Sequence, residues 1–167
     1  MSTVVIGIDP GSRFTGYGVI TDQKGEQTCI AHGRIPVKGK TTAERLYYIY
    51  YHLKEIISNY QPNEMAIEQV FFHRNAQSAL KLGQARGAAM VAAASLALPV
   101  AEYSPKQIKQ AAVGYGGADK SQVQHMVRAL LKLKETPEVD AADALAIAIC
   151  HCQTRRLARR ISATSVE

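Results

Sequence analysis

The sequence predicts an α/β domain in which helices pack against a mixed sheet. Three observations carry that reading. Residues 4–21, VVIGIDPGSRFTGYGVIT, are two apolar runs on either side of a Pro-Gly turn, and Gln27–Ile35 supplies a third strand-like run. Two more short apolar runs, Met65–Glu68 and Val100–Tyr103, alternate with segments of helical spacing. The chain then reaches an Ala- and Ile-rich helix, apolar on most sides and therefore buried on most sides.

Taken in order, the first three strands form an antiparallel meander with a polar turn at Asp22–Glu26, and Gly16, Gly18 and Gly33 mark bulges or close backbone approach. Pro36–Lys40 is a loop. Thr41 and Glu44 make a capping box for a helix whose apolar stripe is Leu46, Tyr50, Leu53, Ile57 and Tyr60. Met65–Glu68 is a buried strand, and Phe71–Asn75 a loop. A long helix follows over Ala76–Ala97, where Gly83, Gly87, Ala88, Ala92 and Ala93 would admit a close neighbour. Its two glycines cost about 1 kcal/mol each relative to alanine. After Val100–Tyr103, Ser104-Pro105 with Gln107 starts a brief helix. Gly114, Gly116 and Gly117 open a loop, and Asp119 caps a helix with apolar positions Val123, Val127, Leu130 and Leu131. His125 reads there as an interior or interface histidine. The final helix spans about Val139–His151. We therefore expect one domain over 1–153, followed by a basic, flexible tail over 154–167 that carries Arg155, Arg156, Arg159 and Arg160.

A chain of 167 residues, 47% of them hydrophobic, can bury a proper core. Its formal charge of +6 and pI near 9.3 favour a polyanionic partner. Three cysteines, Cys29, Cys150 and Cys152, suit free thiols in a reducing cytoplasm. Cys150-His-Cys152 lacks the spacing and the second pair of a zinc site. No run is long enough to span a membrane, and no basic leader precedes an apolar core.

The chemistry lies in four carboxylates. Asp9 and Glu68 end two apolar strands, while Asp140 and Asp143 share one face at the start of an apolar helix. Three have a structural alternative: Asp9 as a turn cap, the helix pair as partners of the helix dipole. If the four meet, their repulsion calls for cations, and hard oxygens without a His/Cys cluster favour Mg²⁺ or Mn²⁺. Two such ions support phosphodiester hydrolysis by activating water and stabilising the leaving oxygen.

The stretches GIDPGSRFTGYGVI, AIEQVFFHRNAQSALKLGQARGAA, GGADKSQVQHMV and DAADALAIA together resemble the RuvC family of bacterial Holliday junction resolvases over nearly the whole chain. The resemblance implies a ribonuclease H-like fold with a five-stranded mixed sheet. It also implies an acidic tetrad of Asp9, Glu68, Asp140 and Asp143 holding two Mg²⁺ ions, with Mn²⁺ as a substitute. The implied activity is symmetric cutting of a four-way DNA junction by a homodimer, leaving 5′-phosphate and 3′-hydroxyl ends. The family prefers a short thymine-containing sequence and works with the RuvA-RuvB branch-migration complex in recombination and repair. Lys109 and Lys120 match basic residues near the scissile phosphate, and Phe71 matches an aromatic that stacks on bases. Phe72 is expected in the core.

Ser12, Arg13, Arg74, Lys81 and Arg86 are further candidates for DNA-backbone contact. Gln69, Asn75 and Ser78 either read base edges or cap the long helix. Each lysine has the alternative of a solvated surface charge, and the Tyr47, Tyr48, Tyr50 and Tyr51 cluster that of simple packing. Competing functions are a non-catalytic DNA-binding protein of this fold, an actin-like ATP binder using the DPG turn, and a general ribonuclease H. The chain is short for the two-domain ATP binder.

Overall fold

The computed structural model describes residues 2–70 and 75–164. Five strands form one mixed sheet in the order β3-β2-β1-β4-β5. β1 (Thr3–Asp9), β2 (Phe14–Gln23) and β3 (Glu26–Pro36) make the antiparallel meander, while β4 (Glu64–Glu68) and β5 (Val100–Tyr103) continue parallel to β1. The turn between β2 and β3 is tighter than expected. It consists of Lys24 and Gly25, both at positive φ, the twist that suits a two-residue hairpin. The register shift in β2 falls between Val19 and Ile20, not at a glycine.

The helices sit on both faces because residues along each strand alternate between faces. Ile6, Ile8, Met65 and Ile67 join the cluster under α1 (Thr42–Tyr60) and α2 (Ala76–Ala94). Val5, Ile20 and Ala66 join the opposite cluster. That layer contains α3 (Pro105–Val113), α4 (Lys120–Leu130) and α5 (Val139–Thr164). The predicted capping boxes at Thr41 and Ser104 form, and the predicted Asp119 cap closes into a third box with Gln122.

The seat of α5 is built by missing side chains. A Cβ on Gly7 would collide with the Ala144 carbonyl, and one on Gly16 with the Asp140 carbonyl. The absence of those carbons lets the helix backbone lie directly on β1 and β2.

Several local expectations change. In α1 the predicted Leu46, Tyr50, Leu53 and Ile57 all pack on the core, joined by Ile49, while Tyr60 is exposed. α2 ends at Ala94, and its buried residues are Ala85, Ala89, Ala92 and Ala93. Among the described residues, nothing lies within 4 Å of where a Cβ on Gly83 or Gly87 would sit. His125 and Leu130 are exposed, because only Val123 and Val127 of α4 turn inward. α5 continues well past His151, through Arg155–Arg160, to Thr164. Cys150 and Cys152 are buried free thiols on it. Among the described residues, no helix is long and apolar enough to cross a membrane.

Candidate active site

Strand parity explains why the carboxylates converge. On β1, Val5, Gly7 and Asp9 point to the α5 face; on β4, Glu64, Ala66 and Glu68 do the same. β1 and β4 run parallel with Ile8 beside Ile67, so Asp9 and Glu68 emerge together at the same end of the sheet. Asp9 pairs across to Gly16, on which the Asp140 backbone rests. The glycine seat therefore delivers the first turn of α5, with Asp140 and Asp143, to the two strand ends.

A cavity of about 460 Å³ opens there, lined by Asp9, Glu68, Asp143, Lys109 and Lys120. Leu82 from α2, Ile108 from α3 and Val123 from α4 supply apolar wall. Asp140 lies outside that lining, with the Arg34 guanidinium 3.9 Å from its carboxylate. Lys120, the first residue of α4, reaches Asp143 at 3.5 Å while remaining largely exposed. Its place is set by the Asp119 cap, whose carboxyl is held below its usual range chiefly by the Gln122 amide.

Negative charge is concentrated at the site. Asp9 is pushed up to about 8, first by burial, then by the charges of Asp143, Glu68 and Asp140, with Lys120 opposing. Burial also raises Asp143, against the pull of Lys120 and Lys109. Burial reinforced by like charges at one site gives a carboxylate such a value, and perturbed groups in a cleft mark functional sites. Among the described residues, however, no three His, Cys, Asp or Glu are drawn close enough to form a ready-made ion cage.

The other candidate residues divide sharply. Arg86 is held in place: its Nε donates to the Glu68 carbonyl at 3.0 Å and its Nη2 pairs with Glu102, so it braces the end of β4. Ser12 and Arg13 lie in the β1–β2 turn away from the cavity lining. The Ser12 carbonyl accepts from Arg45, and the Arg13 carbonyl accepts from the Val37 amide at 2.9 Å. Lys81 is exposed on α2 next to the cavity-lining Leu82. Asn75 caps α2 by accepting from the Gln77 and Ser78 amides, while Gln69 lines the cavity. Phe71, Phe72 and Arg74 lie outside the described residues.

Two contacts around the site were not anticipated. Arg34, stacked 4.2 Å from the Phe14 ring centroid, pairs with Glu138 and approaches Asp140. Arg45 ties α1 to the turn that follows Asp9. Cross-strand register was the available signal for Arg34, since it stands opposite Gly16.

The model of the family described as "Crossover junction endodeoxyribonuclease RuvC" matches residues 5–151. A protein of that name from Coxiella burnetii is 58% identical over 158 residues, 95% of this chain and 92% of the relative. The counterpart from Hahella chejuensis is 56% identical over 161 residues, covering 96% and 94% of the two chains. Among solved structures, Thermus thermophilus RuvC in complex with Holliday junction substrate superposes with a TM-score of 0.87 at 37% identity, over 93% of this chain and 96% of that one. The yeast mitochondrial Holliday junction resolvase, at 11% identity and TM-score 0.68, shares the fold, over 98% of this chain and 86% of its own. The strand order, the carboxylates carried on β1, β4 and α5, and these matches lead to one conclusion: the chain belongs to the RuvC family of crossover junction endodeoxyribonucleases.

Proposed function

We propose that this protein is a metal-dependent endonuclease that resolves four-way DNA junctions by hydrolysing two phosphodiesters at symmetric positions. The observation that carries the reading is the convergence of Asp9, Glu68 and Asp143 with Lys109 and Lys120 on one cavity, with Asp140 at its edge. Membership of the family supports it, as does the junction complex of the Thermus relative.

The donor set fits a hard divalent cation. All four candidate ligands are carboxylates, and their surplus negative charge is relieved when a cation binds. Mg²⁺ keeps several waters and is often completed by substrate phosphates, so the carboxylates need not close into a cage before DNA arrives. Asp9, Glu68, Asp140 and Asp143 would hold two Mg²⁺ ions, or Mn²⁺ in their place. When bound, the pair supplies an activated water and charge stabilisation at the leaving oxygen.

The remaining steps belong to the chain's own residues. Lys120 and Lys109 face the same cavity and draw the scissile phosphate towards it. With phosphate present, Lys120 exchanges its contact with Asp143 for the incoming anion. The rigid strand ends hold Asp9 and Glu68 fixed, and the glycine seat does the same for the helix carboxylates. Arg34 restrains Asp140 from the β3 side. Products with 5′-phosphate and 3′-hydroxyl ends, a homodimer placing two sites about a two-fold axis, base stacking by Phe71 and cooperation with RuvA-RuvB complete the proposal. A cytoplasmic location accords with its free thiols.

The test compares a mobile four-way junction, a linear duplex and an RNA–DNA hybrid, each with and without Mg²⁺. Paired symmetric products from the junction alone, only with metal, are expected. Equal cutting of all three substrates sinks the proposal, and tight junction binding without cutting favours the non-catalytic reading.

A further inference from the structure

The positive charge of this chain is not spread evenly. At the end of the sheet opposite the carboxylates lies a second hollow of about 250 Å³, between the start of β1, the Lys24-Gly25 turn and the last turns of α5. Lys24, Arg155, Arg156, Arg159 and Arg160 line it, against one carboxylate, Asp22. Two of these guanidinium groups are fixed. Arg155 donates to Thr3 Oγ1 at 2.6 Å and pairs with Glu64 at 2.8 Å, and Arg156 contacts the Gly25 carbonyl at 3.5 Å. Lys24 and Arg159 are exposed beside them. Part of this pattern complements the negative end of the α5 dipole. That explanation does not cover Lys24, which comes from the hairpin turn and faces the same hollow.

We infer that this hollow is a second phosphate-binding site, which grips the sugar-phosphate backbone of a junction arm away from the point of cutting. Guanidinium groups in a fixed fork suit phosphate oxygens, and a concave cluster of one sign concentrates the field at one place. The site rests on the proposed junction activity, because it binds the arms of the same substrate. Its distance gives it a measurable character. β1 runs from Thr3 at this hollow to Asp9 at the carboxylates, a seven-residue strand of about 20 Å. At 3.4 Å per base pair, an arm reaches the hollow roughly six base pairs from the cut. On the α5 face of β3, Arg34 and His32 begin a route along that edge, and the Lys24-Gly25 turn ends it.

The test uses the full chain and the double variant Lys24→Gln/Arg159→Gln, which leaves the Glu64 and Thr3 contacts of Arg155 intact. Binding is measured in EDTA across a salt series, on hairpin-capped junctions whose arms are about five or about twelve base pairs long. On long arms the variant should bind about tenfold more weakly, with a salt dependence shallower by roughly one to two phosphate equivalents. On short arms the two proteins should bind alike. Equal affinity on long arms, or an equal loss on both lengths, overturns the inference. So does a fall in melting temperature that accounts for the loss, or a poly-glutamate competitor that depends on these residues while the arm-length effect is absent. Cleavage in Mg²⁺ is scored separately. At saturating protein the variant should cut the junction at the wild-type rate, and failure of both proteins to cut counts against the nuclease reading alone.

Discussion

Glu64 and Glu68 stand four residues apart on β4, point to the same face and lie beneath the same helix, yet they live in opposite electrostatic worlds. Glu64 meets His151 Nε2 at 2.6 Å and Arg155 Nε at 2.8 Å, while Tyr103 Oη and His151 Nδ1 lie 2.7 Å apart behind it. Arg155 continues the network to Thr3. Here Glu64, His151 and Arg155 are all paired, and their contacts fasten α5 to β1, β4 and β5. Glu68 instead joins Asp9, Asp140 and Asp143, whose charges together push the Asp9 carboxyl up. One end of α5 is arranged for stability, the other accepts repulsion so that cations and phosphate have something to relieve. The difference arises from what one helix carries at its two ends.

The largest effect should come from breaking the acidic end. Asp9→Asn, Glu68→Gln, Asp140→Asn or Asp143→Asn should each slow junction cutting on the order of 10³-fold, with junction affinity nearly unchanged. Rate measurements beside equilibrium binding check this; parallel loss of binding in a folded variant argues against a metal-holding role. Next comes the seat that serves both ends. Gly16→Ala places a methyl against the Asp140 carbonyl and should cost about 3 kcal/mol in urea unfolding, with cutting reduced through displaced helix carboxylates. A neutral result would show that α5 shifts freely.

At the paired end, Glu64→Gln withdraws the charge from His151 and Arg155 and should destabilise by about 2 kcal/mol while cutting at low temperature persists. A large activity loss without destabilisation would contradict the contrast. The smallest effect has the opposite sign. In the metal-free fold Asp9 retains its proton up to about pH 8, whereas the unfolded chain releases it near 3.8. Between those values the folded state binds more protons, so the Asp9 contribution to stability falls as pH rises from about 4 to about 8. Asp9→Asn should remove that slope and stabilise the metal-free protein by about 1 kcal/mol at pH 8, discounted for partial exposure. Melting curves across pH in EDTA decide it, and adding Mg²⁺ should raise the wild-type midpoint more than that of Asp9→Asn.

Much of this contrast was legible beforehand, for identifiable reasons. Asp9 and Glu68 stood out because a carboxylate ending an apolar strand is costly unless it has work to do. Asp140 and Asp143 stood out because helical spacing places them on one face. The capping boxes at Thr41 and Ser104 and the cap at Asp119 were readable because the partners lie within one turn. Arg86 was not readable: it is one more cation in the sequence, and only the fold sets it against Glu102 and the Glu68 carbonyl. Gly83 and Gly87 meet nothing within 4 Å among the described residues, so small residues in a helix do not by themselves say which neighbour packs there. The extent of α5 was missed for a similar reason. An arginine-rich segment resembles a solvated tail until its contacts with Thr3, Glu64 and Gly25 are seen.

By itself, then, the sequence determined the elements, their order, the four acids and the family resemblance, since each rests on local periodicity or contiguous motif. The tertiary structure decided which charges are compensated. Glu64 and His151 are 87 residues apart, and Asp9 and Asp143 meet only because glycines on β1 and β2 let α5 lie against the sheet. Pairing depends on distance in space, and long-range distance is set by packing rather than by any local pattern.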